Sequence, residues 1–133
     1  MFIGWLNGWF SGLGFSLQAS APAHTSADYQ VRGVERIKNP FAWDEGVEDI
    51  RTAIRLETDK QYIATGYSAL AEAYARKGDK DKALQYLQTA LRFAQESSQE
   101  SKTEVDRNAG YATGEITKIF IQRYIQSGYK RWW

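Results

Sequence analysis

The sequence of 133 residues predicts an all-α fold. It reads as a short array of antiparallel helical hairpins behind an aromatic, glycine-rich N-terminal arm. Three observations predict this. Apolar residues in the middle of the chain recur at intervals of three and four, the spacing of one helix face. No stretch of that middle alternates apolar and polar residues as a half-buried strand would. Cap and turn signals fall between the periodic runs, at Asn39-Pro40, at 58–61, at Gly78, at 101–104 and at Gly128.

The elements follow in chain order. Residues 1–27 form the arm and contain no Lys, Arg, Asp or Glu. Placed on a helix, Phe2, Trp5, Leu6, Trp9, Phe10 and Leu13 share one side, and Gly4, Gly8 and Gly12 fall opposite. Three readings of the arm stay open. A secretory signal is suggested by Ala19-Ser20-Ala21, but no basic residue precedes the apolar run and Pro22 follows the cleavage-like site. A membrane-spanning helix is suggested by the Gly4, Gly8, Gly12 spacing, but the run is diluted by Asn, Ser, Gln and glycine. The third reading is an arm that docks on an apolar surface of a protein, either a partner or its own helical domain. An interfacial membrane helix normally carries Lys or Arg on its polar side, and this one carries none. A protein groove is therefore favoured over a lipid surface.

Residues 28–40 read as a linker, and residues 41–128 as the helical domain. Within the domain, Trp43, Val47, Ile50 and Ile54 mark a first stripe, entered through Asn39-Pro40. Tyr67, Leu70, Ala71 and Tyr74 mark a second, ended by Gly78, a residue at ease with positive φ. Ala83, Leu84, Leu87, Ala90, Leu91 and Ala94 mark a third. A fourth runs through Ile116, Ile119, Phe120 and Tyr124, broadened by Ile121 and Ile125. Thr58-Asp-Lys-Gln61 and Ser101-Lys-Thr-Glu104 have capping-box spacing. Residues 129–133, Tyr-Lys-Arg-Trp-Trp, form a basic aromatic tail, in which Arg131, Trp132 and Trp133 are residue types rich in interface hot spots.

The spacing over residues 64–97 resembles a tetratricopeptide (TPR) repeat. Tyr67, Leu70, Ala71, Tyr74, Gly78, Ala83, Leu87 and Ala90 fall on that motif's signature positions. A Tyr stands where the motif usually has Trp, and Gln95 where it closes on Pro. Gly46, Ile50, Ala53 and Ile54 look like the second helix of a preceding repeat. Phe120, Ile121, Tyr124 and Gly128 look like the first helix of a following one, at a spacing that requires a long connection near 95–108 or extended helices. The resemblance implies a peptide-binding groove lined by first helices, which would present Thr65, Ser68, Glu72 and Arg76. Family members that grip a C-terminal carboxylate use Lys and Asn at several such positions. Ser68 and Glu72 stand here instead, so that specificity is not carried over.

Catalytic chemistry finds few candidates. Cysteine is absent and His24 is the lone histidine, which excludes thiolate and multi-histidine metal sites and cysteine nucleophiles. His24 lies in a run of small residues and reads as a solvated loop residue. Asp44, Glu45, Glu48 and Asp49 read as carboxylates favoured by a helix N-terminus rather than as an acid–base pair. A formal net charge of +1 gives no global reason to bind nucleic acid. The expectation is a non-catalytic protein, needing no cofactor and no metal, whose partners are other protein subunits that it links or positions. Its repeat style from 69 to 84 resembles TPR-like repeats frequent in bacteria, cyanobacteria among them, and a linker in a light-harvesting antenna such as a phycobilisome would fit the architecture of a helical body with an arm reaching between subunits. The place expected is the cytoplasm, peripheral to a membrane-bound assembly. The alternatives are a soluble peptide-binding adaptor and an exported repeat protein.

Overall fold

The computed structural model describes residues 24–128. The arm residues Phe2, Trp5, Leu6, Trp9, Phe10 and Leu13, and the tail residues Arg131, Trp132 and Trp133, lie outside the described residues. Among those described there are α1 (Ser26–Ile37), a 3-10 turn (Pro40–Ala42), α2 (Trp43–Leu56), α3 (Lys60–Lys77), α4 (Lys80–Glu100) and α5 (Glu104–Gln126), and no strand. Successive helices pack as antiparallel pairs. In addition, α3 touches both α1 and α5, so that the first helix of each hairpin lies beside the next. The chain is an all-α, TPR-like helical array.

The segment 28–40 is not a linker. Most of it is α1, and the helical domain begins at Ser26 rather than at residue 41. Thr25 caps the helix: its hydroxyl accepts from the Asp28 backbone N–H at 3.1 Å, and the Asp28 carboxylate accepts from the Thr25 N–H at 3.2 Å. This reciprocal pair satisfies donors that the first turn leaves open. The same backbone N–H groups, of His24 and Thr25, hold the Asp28 carboxyl below its ordinary range. His24 sits exposed just outside this cap, its backbone N–H directed at Asp28.

Two glycines bring α1 and α2 together. A Cβ at Gly33 would stand 2.8 Å from the Gly46 carbonyl oxygen, and one at Gly46 would stand 2.8 Å from the Ile37 backbone nitrogen. Beside this contact lies Asp49, 6 % exposed. It accepts from Arg32 Nε at 2.9 Å, Arg32 Nη2 at 2.8 Å and Arg36 Nη1 at 2.9 Å. Asp44 and Glu45 do occupy the first turn of α2, as expected. Asp49 does not: it is a buried anion that holds α1 by two arginines. Asp49→Ala leaves both guanidiniums without their shared carboxylate, at a cost of about 2–3 kcal/mol, since the arginines stay partly solvated. Urea unfolding of the variant beside Arg32→Ala checks this: coupled losses are expected, additive ones would separate the two residues.

The α3–α4 hairpin follows the spacing read from the sequence. Gly78 ends α3 at φ 83°. Its N–H donates to Ala75 O at 3.0 Å, and the Asp79 N–H donates to Tyr74 O at 2.9 Å, the paired bonds of a left-handed helix stop. Asp79 then caps α4, accepting from the Lys82 N–H at 3.2 Å. Ala71, Ala83, Ala90 and Ala94 are buried and let the helices approach closely. Gly78→Val forces a β-branched residue into left-handed backbone and is expected to cost about 2 kcal/mol, read as a lower melting temperature by circular dichroism.

Between α2, α3 and α4 an aromatic layer completes the core. The Trp43 indole N–H donates to Ala73 O at 2.8 Å, and its ring meets Tyr74 edge-on at 5.2 Å. Tyr74 stacks on Tyr86, and Tyr67 stacks between Tyr86 and Phe93. Arg51 Nη2 donates to the hydroxyls of Tyr74 and Tyr86 at 3.2 and 3.4 Å.

Two cap positions shift from their expected places. Asp59 rather than Thr58 caps α3, and Thr103 rather than Ser101 caps α5. The long spacing near 95–108 is resolved by extended helices: α4 has 21 residues and α5 has 23, joined by a short turn. Of the fourth apolar stripe, Tyr124 lies on the buried face of α5 and Ile116, Ile119 and Phe120 do not. Gly110, Gly114, Thr117 and Tyr124 face the array, whereas Ile116, Ile119, Phe120 and Ile125 are each about half exposed. Small residues permit the closer approach. A Cβ at Gly110 would stand 2.8 Å from the Ser98 backbone nitrogen, a distance no larger side chain could keep.

Candidate protein-binding groove

The first helices, α1, α3 and α5, line a groove of about 320 Å³. Gln30 and Val34 supply one wall from α1, and Phe120 and Tyr124 supply the other from α5. Thr65, Ser68 and Glu72 of α3 run along the middle, with Ala69, Ala71 and Ala75 between them; Ala83 and Leu87 of α4 form the floor. The alanines of the lining, Ala69, Ala71 and Ala75 of α3 and Ala83 of α4, leave room for the concavity because their side chains are small.

The groove is apolar and nearly free of net charge. Glu72 is its one acidic lining residue, and Arg76 Nε, one turn on, donates to it at 3.0 Å. The Thr65 hydroxyl donates to Gln61 O at 3.1 Å, which leaves its methyl group as its apolar part. Of the residues expected along the groove, Thr65, Ser68 and Glu72 lie in it, and Arg76 stands beside it as the partner of Glu72. Gln30 and Val34 were not expected, because their segment reads as a linker. Phe120 was expected in the core and instead forms an exposed rim, 46 % accessible. The open side of α5 continues outward from that rim through Ile116 and Ile119.

Among the described residues no group of three or more His, Cys, Asp or Glu could hold a metal ion. No helix among them is long and apolar enough to cross a membrane. What the geometry offers is a concave, uncharged surface of a size suited to apolar side chains.

Residues 64–97, about a quarter of the chain, match the tetratricopeptide repeat family. The match runs from Ala64, one turn into α3, to Ser97 in the last turn of α4. With the hairpin before it and the helix after it, the chain is a TPR-like helical repeat protein, and TPR repeats suggest a role in binding other proteins. No curated protein and no solved structure matches it.

Proposed function

We propose that this chain is a non-catalytic subunit that links or positions components of a larger protein assembly. The observation that supports this best is the groove between α1, α3 and α5, apolar and carrying one neutralised charge pair. Such a surface favours an uncharged, aliphatic or aromatic segment of another protein over an acidic tail or a nucleic acid. The arm supplies a second contact. Its side of Phe2, Trp5, Leu6, Trp9, Phe10 and Leu13 is too apolar to leave in water. Arg131, Trp132 and Trp133 supply a third. A bivalent or trivalent subunit of this kind joins neighbours without doing chemistry on them.

A linker in a cyanobacterial light-harvesting antenna is one specific form of this role, which a helical body with an apolar arm would fit. Co-sedimentation with antenna complexes tests that form. The groove alone would also serve a soluble peptide-binding adaptor, the second reading. The proposed place is the cytoplasm; loss of about twenty residues from the intact mass of native protein, the length of a typical export signal, would instead mean export.

Deletion of residues 1–20 tests the linking role. The truncated chain is expected to lose co-purification with its assembly while residues 26–126 stay helical by circular dichroism. Trp5→Ala with Trp9→Ala is expected to do most of the same damage, since burying each large aromatic is worth roughly 1.5–3 kcal/mol. Unchanged affinity after truncation would contradict the arm's role and leave Trp132 and Trp133 as the leading contact.

A further inference from the structure

The groove and the arm are complementary in the same molecule. The groove is apolar with its one charge pair internally matched, and the arm carries no formal charge on Lys, Arg, Asp or Glu at all. A charge-free segment enters such a groove without desolvating an ion. The exposed edge formed by Phe120 and Ile116 widens the surface that an aromatic segment could cover.

Lengths and chain direction also agree. Because successive helices are antiparallel, α1, α3 and α5 run in the same direction, and the arm enters at the N-terminal end of α1. The groove follows α3 from Thr65 to Ala75, a helical rise of about 15 Å. The arm's apolar side from Phe2 to Leu13 covers about 17 Å if helical. Residues 14–24 then remain for the reversal, and they reach about 35 Å when extended. A segment tethered this closely meets its groove at millimolar effective concentration, far above that of any separate partner.

We propose that in the free chain the groove between α1, α3 and α5 is filled by the chain's own N-terminal segment, Phe2 to Leu13. This rests on the reading of the groove as a binding surface. Self-docking covers both apolar surfaces until an assembly partner displaces the segment, and it makes the free subunit less adhesive than its exposed parts would be.

The absence of native cysteine allows a clean test in the full chain. Leu6→Cys lies on the arm's apolar side and Ser68→Cys lies in the groove. The control replaces Ser68→Cys with Gln85→Cys, on the side of α4 opposite Leu87. Mild oxidation of dilute protein, read by mass spectrometry and non-reducing gels, is expected to close the intrachain Leu6→Cys/Ser68→Cys disulfide roughly tenfold faster than the control pair. Adding Trp5→Ala and Trp9→Ala should erase that difference. Equal rates for the two pairs would overturn the proposal, as would disulfides formed only between chains at a rate that rises with concentration, which would assign the groove to a second copy. The groove reading itself is separable: Ser68→Glu alone should lower affinity for the assembly, and an unchanged affinity would overturn that reading whatever the cross-link shows.

Discussion

Trp43→Ala is expected to destabilise the fold by about 4 kcal/mol, the largest loss for any single side chain in the array. Trp43 is 8 % exposed and begins α2. Its ring fills the space between α2 and α3 and meets Tyr74 edge-on, so truncation removes both packing and an aromatic contact. The Lys77 ammonium also lies over the face of the ring, 4.7 Å from its centre. Trp43→Phe separates the contributions. It keeps most of the ring but deletes the indole N–H bond to Ala73 O, and is expected to cost about 1 kcal/mol beyond the lost volume. Urea denaturation of both variants checks the order. Equal losses would mean that the hydrogen bond, rather than packing, anchors α2 to α3.

Gly46→Val is the second large effect, expected near 3 kcal/mol. The atoms that its Cβ would meet at 2.8 Å include the backbone nitrogen of Ile37, which cannot swing aside as a side-chain end could. The strain is expected to lever α1 away from α2, weakening the Arg32 and Arg36 bonds to Asp49 and removing the Gln30 and Val34 wall of the groove. A fall in melting temperature of roughly 10–20 °C follows for a domain of this size. Gly114→Ala is the matched control. Its Cβ would stand 3.7 Å from Leu91 Cδ1, an ordinary contact, and alanine favours the helix. That variant should melt at or above the parent. If the two variants melted alike, the close packing of α1 on α2 would be wrong.

The parts of the fold readable in the sequence are those where local and tertiary signals agree. Over 64–97 the apolar period, the small residues and Gly78 all point to one hairpin, and the chain forms it. At α1 the signals are weaker. Its buried residues are only Gly33 and Ile37, and its capping box uses Asp28 where the usual partner at the third helical residue is Glu or Gln. The half repeat read around Ile50 is consequently the second half of a full hairpin. Asp49 was misread for the same reason, because its arginine partners lie on the helix that was missed.

At α5 the signals conflict. Two periodic stripes share the helix: one of Ile116, Ile119 and Phe120, the other of Gly110, Gly114 and Thr117. Hydropathy selects the first. Close approach to α4 selects the second, because it trades side-chain volume for contact between helix backbones, and hydropathy does not register that. Thr117 buries without cost in hydrogen bonding, since its hydroxyl donates to Thr113 O at 2.8 Å. The groove was legible along α3, through Thr65, Ser68 and Glu72, and not along its walls, since those belong to the two helices that were missed or turned.

The central claim is that this repeat protein recognises its partners through uncharged, apolar surfaces. Salt dependence tests that claim most directly. Contacts between solvated charges weaken as ionic strength rises and the screening length falls from about 10 Å at 0.1 M toward 3 Å at 1 M. Burial of aromatic and aliphatic side chains does not weaken in this way. The measurement is the dissociation constant of the full chain from its assembly at about 0.05 M and about 0.5 M sodium chloride, a range over which charge screening changes severalfold. The account predicts values within roughly twofold of each other. A rise of tenfold or more at the higher salt would contradict it and assign recognition to the charged outer faces of the helices.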